Sequence, residues 1–241
     1  KVLVTGYDLG MNTSGGFGRY IRVPGSWVVP LPDDLSLQET MGYGTAGFTA
    51  ALSVHRMEAN GLTPELGRVL VTGASGGVGS LAVAILAKAG YEVVAATGKA
   101  DASEYLHGIG ACEIIPREEI DDEGARPLSK ETWSGVVDSV GGNTLATAIA
   151  ATRYRGTVAS CGLVGSHELS TTVYPFILRG ISLLGIDSAN CPTSDRLTIW
   201  RKIATEWKID CMDQIVRTCS LETIEPEIDR ILAGQQTGRV V

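Results

Sequence analysis

The chain has 241 residues, of which 44% are hydrophobic and 20% are charged, and its formal net charge is −7 at pH 7. This composition is typical of a globular protein with a sizeable core. The net negative charge and the lack of a block rich in Lys and Arg argue against nucleic acid or an anionic membrane as the main partner, because both bind basic surfaces. No apolar run reaches the roughly 18 to 20 residues that a membrane span requires.

The beginning of the sequence is rich in β-forming residues and glycine. It opens inside a predicted strand and without methionine, so we expect that an N-terminal portion precedes it. Strands are predicted over residues 2–4, 18–23 and 27–29, with turns at the Gly and Pro residues between them. These strands are typical of the end of a β-barrel or sandwich. Apolar residues at helical spacing then predict a helix over residues 37–57.

From Arg68 onward, short apolar strands alternate with helices. Strands are predicted over residues 69–71, 93–95, 113–115, 135–138, 157–159 and 181–185, and helices over residues 78–89, 104–109, 144–151, 196–207 and 228–232. Continuous apolar strands that are separated by helices favour a parallel sheet covered on both faces. The predicted fold class is therefore α/β, with a doubly wound parallel sheet.

A glycine-rich turn joins the first strand of this sheet to an alanine-rich helix, in the run Thr72-Gly73-Ala74-Ser75-Gly76-Gly77-Val78-Gly79-Ser80. Gly76 would let the backbone approach a pyrophosphate, Gly79 would let the helix pack closely against the strand, and the first amides of the helix would donate to the phosphates. Ala74 replaces the first glycine of the dinucleotide fingerprint, so a tight turn that binds nothing remains an alternative. No Gly-Lys-Ser/Thr follows, which excludes a phosphate-binding P-loop.

The same glycines also fit the cofactor turn of short-chain dehydrogenases. In that family the turn lies near the start of the chain, whereas here it begins only at Thr72. The family also requires a Tyr-x-x-x-Lys pair, and none of Tyr91, Tyr105, Tyr154 and Tyr174 has a lysine four residues later. We therefore reject this interpretation.

The end of the second predicted strand indicates which dinucleotide binds. An enzyme that uses NAD places Asp or Glu about twenty residues after the glycines, and this chain has Thr97-Gly98-Lys99 there. A hydroxyl, a flexible glycine and a cation suit the 2′-phosphate of NADPH. Arg117, after the third strand, could close over the same phosphate. The alternative is that Lys99 and Arg117 are solvated surface cations.

Five cysteines are widely spaced, and none forms a Cys-x-x-Cys pair that would build a zinc knuckle or a redox switch. They are Cys112, Cys161, Cys191, Cys211 and Cys219. An odd number of scattered cysteines fits a reducing compartment, and we expect a cytoplasmic protein.

Taken together, these features resemble the medium-chain dehydrogenase/reductase superfamily, and the resemblance covers nearly the whole chain. Further stretches resemble the acryloyl-CoA reductase branch of its quinone-oxidoreductase group. They are Val4-Thr5-Gly6-Tyr7-Asp8-Leu9-Gly10, Gly44-Thr45-Ala46-Gly47-Phe48-Thr49-Ala50-Ala51, Pro175-Phe176-Ile177-Leu178-Arg179-Gly180 and Leu184-Gly185-Ile186-Asp187-Ser188, beside Thr72 to Ser80 and Thr97-Gly98-Lys99.

The resemblance implies a Rossmann domain and the remnant of a GroES-like β-barrel. Residues 1–36 would end the barrel, residues 37–188 would form the NADPH-binding Rossmann domain, and residues 189–241 would complete that domain and return to the first. It also implies a homodimer whose sheets join through the strand at 181–185. Members with catalytic zinc carry Cys and His ligands in the barrel, and residues 1–32 contain neither, so no metal is expected.

The resemblance further implies which residues bind NADPH. Ser75, Gly76, Gly77 and Val78 would hold the pyrophosphate, Thr97, Gly98, Lys99 and Arg117 the 2′-phosphate, and Leu163, Ile177, Ser188 and Thr45 the nicotinamide half.

The implied reaction is the reduction of an activated C=C bond, most specifically acryloyl-CoA to propanoyl-CoA, by hydride transfer from NADPH to the β-carbon. The sequence assigns no proton donor, and His55, His107 and His167 are predicted to be surface or core residues. Two alternatives stay open. One is an NADPH:quinone oxidoreductase, and the other is a non-catalytic NADPH-binding protein.

Overall fold

The first residues of the chain contain little regular structure. The computed structural model describes residues 1–122 and 126–241. Strand β1 (Val2–Leu3) pairs antiparallel with β2 (Val29–Pro30), and the chain between them consists mostly of turns. The strand predicted over 18–23 is wrong: no described strand pairs with this segment, and the Tyr20 side chain is 87% exposed. A strand without a partner or a core beneath it has nothing to stabilise it.

Helix α1 (Leu37–Ala59) confirms the predicted helix over 37–57. Ser36 and Glu39 form a capping box at its start, in which Ser36 Oγ accepts from the Glu39 amide at 3.1 Å and the Glu39 carboxylate accepts from the Ser36 amide at 2.8 Å. Those bonds lower the pKa of Glu39 to about 2, the backbone donor contributing most. Gly44 interrupts the helix with φ +49, a conformation that favours glycine. The resulting kink divides α1 into two segments.

A six-stranded parallel sheet follows, and it confirms the predicted α/β fold. Its strands are β3 (Val69–Val71), β4 (Val93–Thr97), β5 (Glu113–Pro116), β6 (Trp133–Asp138), β7 (Thr152–Ser160) and β8 (Ser182–Gly185), in the order β5-β4-β3-β6-β7-β8. The connecting helices are α2 (Gly77–Lys88), α3 (Ser103–Gly108), α4 (Gly142–Ala151) and α5 (Tyr174–Arg179). The remaining elements are α6 (Thr193–Ala204), α7 (Met212–Ile215), β9 (Val216–Arg217), α8 (Glu225–Leu232) and β10 (Arg239–Val240), and β9 pairs parallel with β10.

The core lies on both faces of this sheet. On one face, Val71 of β3 belongs to the same buried cluster as Phe48 of α1 and Ile85 of α2. On the other face, Leu70 of β3 packs in a cluster with Ile149 of α4. Every residue of β3 is buried, because helices cover both faces of a doubly wound sheet. This explains why the strand is continuously apolar.

Strand β7 is longer than the sequence pattern indicated. The prediction covered only 157–159, whereas β7 begins at Thr152 and includes the polar run Arg153-Tyr154-Arg155. Its pairing with β6 shifts register between Trp133 and Gly135, and Arg155 has φ +59. A bulge of this kind breaks the regular side-chain pattern on which strand prediction depends.

The order of the strands fixes where a ligand can bind. The chain winds outward from β3 through β4 to β5, and then outward in the other direction from β6 through β7 to β8. The carboxyl ends of β3 and β6 therefore form the switch point, where the crevice of an open α/β sheet lies. None of the helices within residues 1–122 and 126–241 is long and apolar enough to cross a membrane.

Candidate functional site

The residues predicted to bind the phosphates lie at the carboxyl edge of the sheet. The glycine-rich turn follows β3, Gly98 and Lys99 follow β4, and Arg117 follows β5. The carboxyl ends of parallel strands lie along one edge, so the fold brings these three loops onto the same side of the molecule.

The glycine-rich turn has the close packing predicted for Gly79. A Cβ on Gly79 would lie 2.3 Å from the Gly73 carbonyl oxygen and 2.7 Å from Ala74 Cα, so no larger residue fits without movement of the backbone. The N-cap of α2 is Gly76, which has no side chain to bond the first amides of the helix. These amides and the positive end of the helix dipole are left for an anion.

A buried network closes the switch point beneath the turn. Asp138, at the end of β6, is fully buried; its carboxylate accepts from Thr72 Oγ1 at 2.7 Å and from the Gly141 amide at 2.9 Å. Ser139 Oγ donates to the Thr72 carbonyl at 3.1 Å. Burial raises the pKa of Asp138, and the donors from Thr72 and Gly141 oppose that shift. The network ties the end of β3 to the end of β6 and so fixes the start of the glycine turn.

The residues predicted to bind the 2′-phosphate lie together at the end of β4. Ser75 Oγ and Thr97 Oγ1 are 3.0 Å apart, and the Lys99 amide donates to Thr97 Oγ1 at 3.2 Å. The Arg117 side chain lies over Gly98, where an added Cβ would be 2.9 Å from Arg117 Nε. Burial lowers the pKa of Lys99, opposed by Asp101. Lys99 thus directly follows the glycine over which the Arg117 side chain lies, an arrangement that suits a phosphate.

The structure adds a residue that sequence reasoning missed. Arg239 lies across the start of α2, where a Cβ on Gly77 would be 3.1 Å from Arg239 Cδ, and its Nε donates to the Gly42 carbonyl at 3.3 Å. Burial lowers the pKa of Arg239, and no charged neighbour contributes to the shift. A partly buried guanidinium beside uncapped helix amides suits a pyrophosphate. No pattern in the sequence around Arg239 indicates that it lies beside α2.

We call residues 236–239 the C-terminal strap. The Gly238 amide donates to the Ser75 carbonyl at 3.0 Å, and Lys99 Nζ donates to the Gln236 carbonyl. The strap therefore extends across the site, from Lys99 in the predicted 2′-phosphate site to Ser75 in the glycine-rich turn. Its position there could not be predicted from the sequence, because Lys99 and Gln236 are 137 residues apart along the chain.

Two of the four residues predicted for the nicotinamide half are close together. Thr49 Oγ1 donates either to the Thr45 carbonyl at 2.7 Å or to Ser188 Oγ at 2.8 Å, so Thr45 and Ser188 flank the same hydroxyl. Thr45 is exposed and directly follows the Gly44 kink. Leu163 and Ile177 lie in the loop after β7 and on α5, and their side chains are 65% and 68% exposed. Their contact with a cofactor stays a prediction.

A buried arginine holds the loop that carries Ser188. Arg196 on α6 is fully buried, and its guanidinium donates to the carbonyls of Cys191, Thr5, Ser188 and Ala189 at 2.7 to 2.9 Å. It also stacks on the Tyr7 ring, 4.3 Å from the ring centroid. These bonds connect the loop after β8 to residues 5–7, which belong to one of the stretches that carried the resemblance.

Cys161 and the histidines offer no activated group. Burial raises the pKa of Cys161 to about 11, and Asp138 adds to the shift, so the thiol is neutral and a poor nucleophile at neutral pH. His55 lies on α1 and His107 on α3, while His167 lies in the loop between β7 and α5. Within the described part of the chain, no group of three or more His, Cys, Asp or Glu side chains is arranged to hold a metal ion.

Comparison with known proteins adds independent information. A family model described as zinc-binding dehydrogenase matches residues 77–204. The putative quinone oxidoreductase YhfP of Bacillus subtilis is 52% identical over 242 residues, which cover 100% of this chain and 73% of YhfP. The acrylyl-CoA reductase AcuI of Ruegeria pomeroyi is 46% identical over 241 residues, again 100% of this chain and 73% of the relative.

Solved structures share the fold. The crystal structure of B. subtilis YhfP with NAD bound superposes with a TM-score of 0.97, covering 99% of this chain and 73% of that one. The crystal structure of Escherichia coli K-12 YhdH with bound NADPH is 42% identical in sequence and superposes with a TM-score of 0.96, with the same coverage. The relatives thus extend beyond the segment that this chain spans.

Proposed function

The chain belongs to the zinc-binding dehydrogenase family of the medium-chain dehydrogenase/reductase superfamily, and from that premise we propose that it is an NADPH-dependent reductase of activated C=C bonds. Its proposed substrate is acryloyl-CoA and its product propanoyl-CoA. One observation carries this proposal. A group of residues suited to a phosphate lies at the same edge of the sheet as the uncapped start of α2, and its members are Thr97, Gly98, Lys99 and Arg117. The relative named acrylyl-CoA reductase supports the choice of substrate.

The residues of this chain fit NADPH along its length. The first amides of α2 and the Arg239 guanidinium supply donors for the pyrophosphate, and Lys99 and Arg117 supply two cations for the 2′-phosphate. Thr45 and Ser188 would contact the nicotinamide half, and their contacts with Thr49 and Arg196 support this assignment. When bound, NADPH supplies the hydride for the β-carbon of the alkene. The protein positions the dinucleotide at both phosphates, which fixes where the reacting end lies.

A comparison of three substrates tests this proposal. NADPH oxidation is followed with acryloyl-CoA, crotonyl-CoA and a benzoquinone, each with and without a chelator. We expect the highest kcat/KM with acryloyl-CoA and no effect of the chelator, because the proposed mechanism uses no metal. A higher kcat/KM with the quinone would move the protein to the class of its relative YhfP, a putative quinone oxidoreductase. NADPH binding without turnover of any substrate would favour a non-catalytic NADPH-binding protein.

We also propose a cytoplasmic homodimer that joins two sheets through β8. Among the strands of the described residues, β8 pairs with β7 alone, and Leu183 at its centre is 36% exposed. An open parallel edge with apolar side chains favours pairing with a second strand. The cytoplasmic assignment is supported by five cysteines that are all free.

Light scattering tests the dimer. The wild type is expected to be dimeric at micromolar concentration, and Leu183→Lys is expected to shift it toward monomer, because two charged side chains would face each other across the two-fold axis. Leu197→Lys is the matched control, since Leu197 is 40% exposed and lies on α6, which packs against α1 and β2. A monomeric wild type would contradict the proposal.

A further inference from the structure

The C-terminal strap brings a hydroxyl to the ammonium group of Lys99. Lys99 Nζ lies 3.4 Å from Thr237 Oγ1 and also donates to the Gln236 carbonyl. An ammonium has three donors and no acceptor. It can therefore hold the strap with two N–H groups and direct the third toward an anion.

The position of Thr237 is fixed on both sides. On one side the Gly238 amide bonds the Ser75 carbonyl at 3.0 Å, and Gly238 has φ +64 and approaches so closely that a Cβ would lie 2.3 Å from the Ile215 carbonyl oxygen. On the other side Gln236 Oε1 accepts from Arg217 Nη2 at 3.3 Å. The two residues that flank Thr237 are thus held by contacts that do not involve Lys99.

The Thr237 hydroxyl has one proton that it can donate to a ligand. Thr237 Oγ1 accepts from the ammonium, so its own O–H must point away from Lys99. Within residues 1–122 and 126–241, the structure shows no hydrogen bond from this O–H to a protein acceptor. Lys99 is partly desolvated, which lowers its pKa, and only Asp101 acts against that shift. An ammonium with little counter-charge beside a hydroxyl with a spare proton suits a phosphate oxygen.

We propose that Thr237 is a specificity-determining residue whose hydroxyl donates to the 2′-phosphate of NADPH, together with Lys99 and Arg117. The inference rests on the proposed function, since it requires that the dinucleotide binds along the carboxyl edge. It extends that function by assigning part of the 2′-phosphate site to the far end of the chain. The strap then contacts both phosphate groups, because Arg239 lies beside the pyrophosphate amides two residues later.

The test is to titrate NADPH and NADH against three variants and the wild type. Thr237→Val removes the hydroxyl at nearly constant shape and is expected to weaken NADPH binding about tenfold while NADH binding changes less than about twofold, as for one hydrogen bond to a charged group. Thr237→Ser keeps the hydroxyl and is expected to retain the preference. Thr218→Val is the matched control, because Thr218 lines a groove with Gln38 and Met212, away from Lys99.

The outcomes separate this inference from the proposed function. Equal weakening of NADPH and NADH by Thr237→Val, or a Thr237→Ser variant as weak as the valine variant, would overturn the role of Thr237 and leave the function intact. A wild type that binds neither dinucleotide would overturn both. Thermal unfolding of each variant checks that the fold is retained, and a variant whose preference for NADPH is unchanged while it stays folded also overturns the inference.

Discussion

Replacing Lys99 with glutamate is expected to abolish the preference for NADPH over NADH. The substitution removes the ammonium from the group formed with Gly98, Arg117 and Thr237, and places a carboxylate where a phosphate would bind. The lost charge-assisted hydrogen bond and the new like-charge repulsion together correspond to roughly 100-fold or more in NADPH affinity. NADH lacks the 2′-phosphate, so its affinity is expected to change by less than about threefold by the same reasoning.

A charge-matched control separates this effect from a change in net charge. Lys130 is exposed and lies shortly before Trp133, at the amino end of β6 and thus on the opposite edge of the sheet. Lys130→Glu alters the charge by the same amount and is expected to leave both dissociation constants unchanged. Titration of NADPH and NADH gives the result. If Lys99→Glu kept the wild-type ratio of the two constants, Lys99 would be a solvated surface cation.

Gly79→Ala is expected to weaken the binding of both dinucleotides by about 100-fold, the effect of displacing a binding group by about 1 Å. The new methyl group would lie 2.3 Å from the Gly73 carbonyl oxygen, which belongs to the backbone and cannot move aside as a side chain can. Helix α2 must therefore shift away from β3 and carry its first amides with it. In an ordinary helix, alanine instead stabilises by about 1 kcal/mol relative to glycine.

Helix propensity and the close contact predict opposite changes in the thermal stability of Gly79→Ala, so this variant distinguishes between them. We expect a loss of thermal stability where helix propensity alone gives a gain, and a loss of affinity for NADPH and NADH alike. Gly25→Ala is the control, because a Cβ there meets nothing within 4 Å and Gly25 has no positive φ. A Gly79→Ala protein that is more stable and binds as the wild type does would show that the close contact has no role.

The sheet and its glycine turn could be predicted because they depend on local patterns. Buried strands such as β3 are continuously apolar, and Gly79 and Lys99 stand at fixed distances from the strands that position them. The first half of β7 was missed because its polar residues lie in a bulge. The strand predicted over 18–23 was wrong because β-forming residues alone cannot supply a partner strand.

The parts of the site that could not be predicted are those made by distant segments. Arg239 and Thr237 stand near the end of the sequence, and nothing in their own neighbourhood indicates that they lie beside Gly77 and Lys99. Arg196 likewise gives no local sign that it is buried and bonds the carbonyls of both Thr5 and Ala189. These contacts are consequences of tertiary packing, which the spacing of residues does not encode.

Isotope transfer tests whether the proposed hydride passes from NADPH to the β-carbon of an acryloyl thioester. NADPH that carries deuterium at the transferable position of its nicotinamide ring is incubated with the protein and acryloyl-CoA, and the propanoyl-CoA formed is analysed by mass spectrometry and NMR. We expect one deuterium per product molecule, at the β-carbon. Propanoyl-CoA without deuterium at that carbon, or no propanoyl-CoA while a quinone is reduced, would contradict the claim.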